Sequence, residues 1–457
     1  MHSPLRPRLL HRAARALLLV GALILVASAA LLAPDRPRTA EACAFDPWRP
    51  DAYEGDQQRT RYNAAIEAAS VNRLLPNDTF FALPPIERGG RNARSTGAPF
   101  IPAVLLKSIA WVESTMTQAA RAVPFESVGP AQISFDCGHG IMQVTTGMTT
   151  PLGSDGTPSS RQASIATHYA YNIARGAQIL AEKWNAAPDQ IPVAGIDTNA
   201  DPAIVENWYF SVWAYNGFTG PGANISNHPA DPQFGAWPRA GYTCDGTQAR
   251  NRYPYQELVW GCMARPDQRN NVPLWQAVAA TLPDLTNPIM ARALSVTNWA
   301  YPYSSMDMPT PQPAHLVTAP PNIQSSVQLL GAPVFQTSAQ RLTINMNATG
   351  GASKGTVRIH NGGTGVMTWI ATTTDRFLVM SPPAGVAIGS DLRCVQSEAC
   401  PDGTLVVTIN PTLLPASRAS GTITLSSPNG GGQQVTIVVD VSAEFSIGAP
   451  GTSRASP

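Results

Sequence analysis

The stretch Ile101–Ser114, IPAVLLKSIAWVES, decides how the first large part of this chain is organised. Its apolar residues recur at the spacing of one helix face: Val104, Leu105, Ile109 and Val112. Pro102 suits the first turn of a helix. The pattern therefore predicts a helix with Glu113 near its C-terminal end, beside the buried face.

A carboxyl group in that position has the properties of an acid catalyst. Partial burial disfavours the charged form and raises the pKa of a carboxyl group. Glu113 would then hold a proton near neutral pH and give it to a leaving oxygen. The alternative is an ordinary solvated helix residue, since most Glu side chains are exposed.

Three later segments extend the pattern: GHGIMQ (Gly138–Gln143), NIARGAQILAEKW (Asn172–Trp184) and ENWYFSVWAYNGF (Glu206–Phe218). With the pair Glu113-Ser114, they make four motifs in order along the chain. In these motifs the chain resembles the lytic transglycosylase family of goose-lysozyme-like muramidases. That family has a Glu-Ser helix end, a Gly-Leu-Met-Gln-like turn, an Asn-Ile-x-x-Gly helix and an Ala-Tyr-Asn-x-Gly helix end.

The resemblance covers residues 95–285 and implies a lysozyme-like fold with Glu113 as general acid and base. It also implies a set of substrate-binding residues: Ser114, Gly140, Met142, Gln143, Tyr215 and Asn216. The insertion Ala122–Cys137 is longer than the family norm. Structural alternatives remain open, because Trp213 and Tyr215 suit a core and Asn216 suits a helix cap.

The family's reaction is implied as well. The acid protonates the β-1,4 bond between N-acetylmuramic acid and N-acetylglucosamine, and the substrate's own C6 hydroxyl attacks, leaving a 1,6-anhydro end. A second carboxylate across the bond would make the enzyme a hydrolase, and Glu126, Asp136 and Glu206 are candidates. The other alternative is a peptidoglycan-binding scaffold without turnover.

Composition and motifs disfavour other classes of chemistry. The formal net charge is +1 and charged residues are 13% of the chain, which argues against nucleic acid as a partner. No His-Glu-x-x-His run, Cys-x-x-Cys pair, phosphate-binding loop or dinucleotide fingerprint occurs, so we expect neither a metal nor a cofactor. The expected partner is a peptidoglycan glycan strand.

The N-terminus has the pattern of an export signal. Basic residues precede the apolar run Ala16–Ala33, which predicts a signal peptide or a single membrane anchor within residues 1–42. The protein is therefore expected outside the cytoplasm, secreted or attached to the cell envelope. All six cysteines follow this segment, as disulfide formation requires. Their proximity suggests three pairs among several possible: Cys244–Cys262, Cys394–Cys400 and Cys43–Cys137.

The remaining boundaries follow from composition. Residues 43–300 are predicted as a mainly α, lysozyme-like domain, with a long loop clamped by Cys244 and Cys262 and a closing helix over Val272–Leu282. Residues 301–326 are rich in proline and are predicted as a linker.

Short alternating runs separated by turn residues predict an antiparallel, immunoglobulin-like β-sandwich over residues 327–446. The run HNGGTGVMTWIATT and the closing strand are similar to BACON-type modules of secreted bacterial proteins, in which Trp369 would lie in the core. Such a module could bind another carbohydrate or a protein. Residues 447–457 are predicted as a disordered tail.

Overall fold

The structure is a computed structural model that describes residues 43–45, 48–149, 159–196, 200–218, 226–288, 307–347, 354–395 and 402–443. The predicted signal or anchor, the predicted tail and Cys400 lie outside these residues. Cys43–Pro457 form one compact unit. Within the described ranges, no helix has the length and apolar character needed to cross a membrane.

The first part of this unit, called the body below, contains six described α-helices: α1 Thr60–Ala69, α2 Ala103–Ser114, α3 Ser160–Thr167, α4 Tyr169–Gln190, α5 Tyr209–Tyr215 and α6 Tyr255–Ala264. Helix α2 follows Pro102, as its sequence predicts, and ends where Thr115 adopts a left-handed conformation at φ 58°. A capping box of Ser159 and Gln162 starts α3. Glu113 therefore lies in the last turn of α2.

The body also contains three two-stranded antiparallel sheets: β1 Asp51–Glu54 with β4 Ser127–Pro130, β2 Glu87–Arg88 with β3 Ser95–Thr96, and β5 Gln268–Arg269 with β6 Val272–Pro273. The predicted helix over Val272–Leu282 is therefore wrong. Its backbone bonds reach outside the segment, from Leu274 N to Asp267 O and from Val278 N to Met263 O. Trp275 is buried, and Leu274 and Val278 pack on the body from this chain, whereas Val272 is exposed.

The last part, called the sandwich below, begins with the short helix α7 Ser326–Leu330 and contains two sheets. Its strands are β7 Phe335–Thr337, β8 Arg341–Met346, β9 Gly355–Asn361, β10 Val366–Thr372, β11 Leu378–Ser381, β12 Ala384–Ile388, β13 Gly403–Ile409, β14 Arg418–Ser426 and β15 Gln434–Ala443. One sheet has the order β12-β10-β14-β15-β8, and the other has the order β11-β13-β9-β7.

Alternation of apolar and polar residues explains how these strands pack. In β9 every second residue is buried, and the buried positions face a core that contains Trp369, Ile423 and Ile437. The sheets are not purely antiparallel, because β15 pairs with β8 in parallel from Val438 and Arg341 onward. Local alternation does not specify the direction of such a pair.

The sandwich packs directly on the body. Val366, Ile370 and Ala384 of β10 and β12 belong to the same apolar cluster as the body helices. Hydrogen bonds cross the boundary, including Thr167 Oγ1 to Thr368 Oγ1 at 3.1 Å and Tyr169 Oη to the carbonyl of Leu329 at 2.8 Å. The two parts therefore share an apolar interface, while the sandwich keeps a separate core between its own two sheets.

The predicted fold class, a mainly α lysozyme-like domain followed by an all-β immunoglobulin-like sandwich, is wrong. Helical and strand residues are about equal in number among the described residues, and most of the body lies outside helices. The physical reason is that irregular segments and short strands join the helices at the surface, where local helical periodicity gives no information about them.

The described residues of the predicted linker lie against the body. Asp307 forms an ion pair with Arg91 at 2.6 Å, and Met308 is buried. The amide of Val205 donates to the carbonyl of His315 at 3.1 Å. Prolines in this segment favour an extended chain, and here the extended chain is held along the body surface.

Candidate active site

Glu113 opens into a cleft of about 490 Å³ on the body. Polar and charged side chains supply much of its lining: Glu113, Ser134, Asp136, Gln143, Thr145, Thr146, Lys183 and Asn216. These residues come from the end of α2, the insertion before Gly138, the turn Gly138–Gln143, α4 and the end of α5. Distant motifs of the sequence therefore meet around one carboxyl group.

The environment of Glu113 favours its protonated form. The side chain is half-buried, and burial raises its pKa from the ordinary value of 4.5 to about 7. A hydrogen bond from Tyr255 and the positive charge of Arg250 oppose this shift, while the charge of Asp136 adds to it. Glu113 can therefore hold a proton near neutral pH and also release it, as an acid and base catalyst must.

Two residues from the C-terminal part of the body hold the end of α2. The hydroxyl of Tyr255 donates to Glu113 Oε1 at 2.5 Å. The guanidinium of Arg250 donates to the carbonyl of Val112, one of the terminal carbonyl groups that a helix leaves without a partner. The carboxyl group is thus fixed by contacts outside its own helix.

Asn172 on α4 builds the turn Gly138–Gln143. Its side chain accepts from the amide of Met142 at 2.8 Å and donates to the carbonyls of His139 at 2.6 Å and Ile165 at 3.0 Å. Ser114 holds the same turn from the other side, since its buried hydroxyl donates to the carbonyl of Ile141 at 2.8 Å. Ser114 therefore connects the helix end to the turn and lies behind the cleft.

Two glycines of the motifs are required by close contacts. Gly140 has φ +64°, and an added Cβ would lie 2.6 Å from the Asn172 side chain. At Gly176, one turn after Asn172 on α4, a Cβ would lie 2.5 Å from Cβ of Met142. Met142 is fully buried and fills the space that Gly176 leaves. Gly140 and Met142 thus shape the cleft wall from within.

Gln143, Tyr215 and Asn216 line the cleft directly. Gln143 has a left-handed backbone at φ 46°, and its side-chain amide donates to the carbonyl of Gly140 at 2.8 Å. The hydroxyl of Tyr215 donates to the carbonyl of Met142 at 2.8 Å, which connects the two walls. Trp213 is fully buried and belongs to the core.

Among the three candidate second carboxylates, Asp136 is the one that lines the cleft with Glu113. Its carboxylate accepts from the hydroxyl of Ser134 at 2.5 Å. Glu206 is fully buried, where it accepts from Thr281 and His315. Glu126 lies beside Arg393 at 3.8 Å, next to the sandwich.

The contact of Tyr255 with Glu113 is not indicated by any of the four motifs, since Tyr255 lies outside them. The sequence places it in a stretch rich in proline and glycine that predicts a long loop, whereas Tyr255–Ala264 form α6. A signal for this helix exists, because Pro254 precedes it, Glu257 lies in its first turn and YQELVWGCMA contains neither proline nor a cluster of glycines. Trp260 is buried in this helix.

The structure contains the Cys43–Cys137 and Cys244–Cys262 disulfides. The first ties the start of the described chain to the insertion at the cleft, and the second ties the segment before Arg250 to α6. The predicted pairing of Cys394 with Cys400 involves a residue outside the described ranges. The disulfides indicate folding in an oxidising, extracytoplasmic compartment. In the described part of the chain, no group of three or more His, Cys, Asp and Glu side chains could hold a metal ion.

Neither a protein-family model nor a curated protein matches this sequence. Among solved structures, the periplasmic chaperone SfaE has 10% identity and a TM-score of 0.19, with 25% of this chain and 60% of the chaperone covered. A PapD-like domain of human CEP192 has 13% identity and a TM-score of 0.19, with 28% and 93% covered. A Bacteroides ovatus GH5 xyloglucanase has 17% identity and a TM-score of 0.16, with 26% and 20% covered.

Proposed function

We propose that this protein cleaves the glycan strands of peptidoglycan as a lytic transglycosylase, with Glu113 as general acid and base. The observation that carries the proposal is a half-buried Glu113, with a pKa raised to about 7, in a cleft lined by the turn and helix-end motifs that resemble that family. A protonated carboxyl group in a polar cleft suits protonation of a glycosidic oxygen.

The proposed reaction needs one carboxyl group in two roles. Glu113 first donates its proton to the oxygen between N-acetylmuramic acid and N-acetylglucosamine. The bond between this oxygen and the anomeric carbon of the muramyl sugar then breaks. The muramyl C6 hydroxyl then attacks the anomeric carbon and returns its proton to Glu113, which leaves a 1,6-anhydro end. Because the nucleophile belongs to the substrate, correct positioning replaces a second protein group.

The cleft lining also suits this substrate. Gln143 and Asn216 offer amide groups, and Thr145 and Thr146 offer hydroxyl groups, to the hydroxyl and N-acetyl groups of an amino sugar. Lys183 on α4 places a positive charge on the same lining, opposite in sign to the carboxylates of a peptidoglycan strand. Glu113 and Asp136 lie on the same lining, so hydrogen bonding, and not net charge, carries the match to the glycan.

The decisive experiment compares the wild type with Glu113→Gln, which keeps the shape of the side chain and removes its titrating proton. We expect the wild type to clear purified peptidoglycan and to release muropeptides with 1,6-anhydromuramic ends in mass spectrometry. Glu113→Gln should bind the same material without clearing it. Full activity of the folded variant would remove Glu113 from the mechanism, and binding without clearing by the wild type would favour a scaffold.

A muramidase, which is a hydrolase, is the second candidate, because Asp136 lines the cleft with Glu113. In a hydrolase Asp136 would activate water or attack the sugar across the bond. Reducing muramic acid ends in the wild-type products, and their loss in Asp136→Asn, would support this reaction. Anhydro ends that persist in Asp136→Asn would support the transglycosylase.

The place where the protein acts and the partners that it binds belong to the same proposal. We infer a secreted or envelope-associated protein that meets peptidoglycan after export. The sandwich would bind a second carbohydrate or a protein, since its outer face carries polar side chains such as Thr343, Ser420 and Ser442. A pull-down of the isolated envelope fraction with the whole protein would test that role.

A further inference from the structure

Phe135 is the most exposed large apolar side chain in the described part of the chain, at 90% exposure. Both of its neighbours in sequence, Ser134 and Asp136, line the cleft that contains Glu113. An aromatic ring left in water at the rim of a polar cleft forgoes the stabilisation of burial. Its position in sequence between two lining residues places it at the edge of the cleft.

The turn that carries Phe135 is held rigidly. The hydroxyl of Ser134 accepts from the amide of Gly138 at 2.8 Å, and the Ser134 amide donates to the Gly138 carbonyl at 2.9 Å. Next to it, Cys137 is joined to Cys43. A ring on a turn fixed by these bonds loses little conformational freedom when it binds a ligand.

A second exposed aromatic residue lies on the neighbouring segment. Trp48 is 52% exposed, and it precedes β1, which pairs with β4. The amide of Ala131 donates to the carbonyl of Pro50 at 2.8 Å, which extends this pairing by one residue toward Trp48. Ile133 then forms a bridge with His139, so Phe135 lies at the tip of the hairpin that follows. The Cys43–Cys137 disulfide joins the same two segments, with Cys43 before Trp48 and Cys137 after Phe135 in sequence. Trp48 and Phe135 are called the aromatic lip below.

We propose that the aromatic lip is a binding site for pyranose rings of a glycan strand, beyond the sugars held at Glu113. The face of an aromatic ring is electron-rich, and the axial C–H bonds on one face of a pyranose are electron-poor, so the two stack. Ser134 and Asp136 connect Phe135 to the cleft, and the Cys43–Cys137 disulfide connects the segment of Trp48 to the same turn. The inference rests on the proposed function and adds a preference for long strands over short fragments.

The test measures binding of N-acetylglucosamine oligomers by calorimetry in the Glu113→Gln background, where no turnover occurs. We expect Phe135→Ala and Trp48→Ala each to weaken hexasaccharide binding by about tenfold, the size of one aromatic contact, and to leave disaccharide binding unchanged. Phe135→Trp should keep the affinity. Phe135→Leu should lose it, because leucine is apolar but has no aromatic face.

Leu413→Ala is the matched control, because Leu413 is an exposed apolar residue of the sandwich at 48% exposure. It should change neither affinity. Unchanged hexasaccharide binding in Phe135→Ala, or full binding in Phe135→Leu, would overturn the inference. Wild-type protein that fails to clear peptidoglycan, while the lip variants still lose hexasaccharide binding, would overturn the proposed function and leave the lip in place.

Discussion

The hydroxyl of Tyr255 donates a 2.5 Å hydrogen bond to Glu113 Oε1, from a helix that lies 142 residues further along the chain. Burial of Glu113 favours its protonated form, whereas this hydrogen bond favours its charged form. Burial has the larger effect, so the pKa is raised to about 7. Tyr255 therefore both orients the carboxyl group and limits how far its pKa rises.

Replacing Tyr255 by Phe should raise the pKa of Glu113 further, because the bond that stabilises the charged carboxylate is lost. A hydrogen bond to a charged group contributes about 1.5 kcal/mol, so we expect the alkaline limb of the pH–rate profile to move up by about one pH unit. The measurement is peptidoglycan clearance against pH. Tyr253→Phe is the control, since the Tyr253 hydroxyl bonds to Gln248, and an equal shift in both variants would contradict the prediction.

Glu113→Gln should alter the pH dependence of stability. The pKa of Glu113 is raised in the folded state, so its protonated form contributes stability that is fully present below 4.5 and is lost as the pH rises through about 7. The glutamine of the variant does not titrate, so only the wild type loses this stability as the pH rises. The difference in unfolding free energy, variant minus wild type, should therefore increase across this window by on the order of 2 kcal/mol after solvent screening. Urea unfolding at several pH values measures the difference, and a constant difference would show that Glu113 is not desolvated.

Gly140→Ala should destabilise the protein far more than Gly147→Ala. Both glycines have positive φ, at +64° and +79°, so both variants strain the backbone by about 1 kcal/mol. Only at Gly140 does the added Cβ meet neighbours, the side chains of Asn172 and Gln118, whereas nothing lies within 4 Å at Gly147. Thermal unfolding should show a further loss of about 2 kcal/mol or more for Gly140→Ala. Equal losses would mean that the turn adapts.

Removing the Cys43–Cys137 disulfide by a double substitution to Ser should cost about 2–5 kcal/mol of stability. The bridge joins residues 94 apart and holds the insertion that carries Asp136, so glycan binding should fall as well. Calorimetric unfolding and oligosaccharide binding measure the two effects. The Cys244–Cys262 disulfide closes a loop with a separation of only 18 residues, so its removal should cost less stability. The opposite order would show that loop length does not dominate.

Local patterns predicted those elements whose causes are local. The apolar spacing and Pro102 predicted a helix over 101–114, and α2 spans Ala103–Ser114. Alternation identified segments that form strands, such as β9 and β15, since period-two burial is visible in the sequence. The motifs around Glu113 also meet in one cleft, because each carries residues that contact another, as Asn172 contacts the turn.

Relationships between distant segments escaped prediction. The contact of Tyr255 with Glu113 depends on a short helix inside a stretch whose proline and glycine content indicates a loop. The parallel pairing of β15 with β8 and the apolar interface between body and sandwich depend on packing between segments far apart in sequence. Periodicity reports which face of an element is buried but not what covers that face.

Buried residues of the sandwich and the body belong to one apolar cluster, with Val366 and Ile370 on one side and Tyr169 on the other. Rotation of one part against the other is disfavoured, because it would expose this apolar surface to water. A partner that binds the sandwich would therefore also fix the orientation of the cleft that contains Glu113.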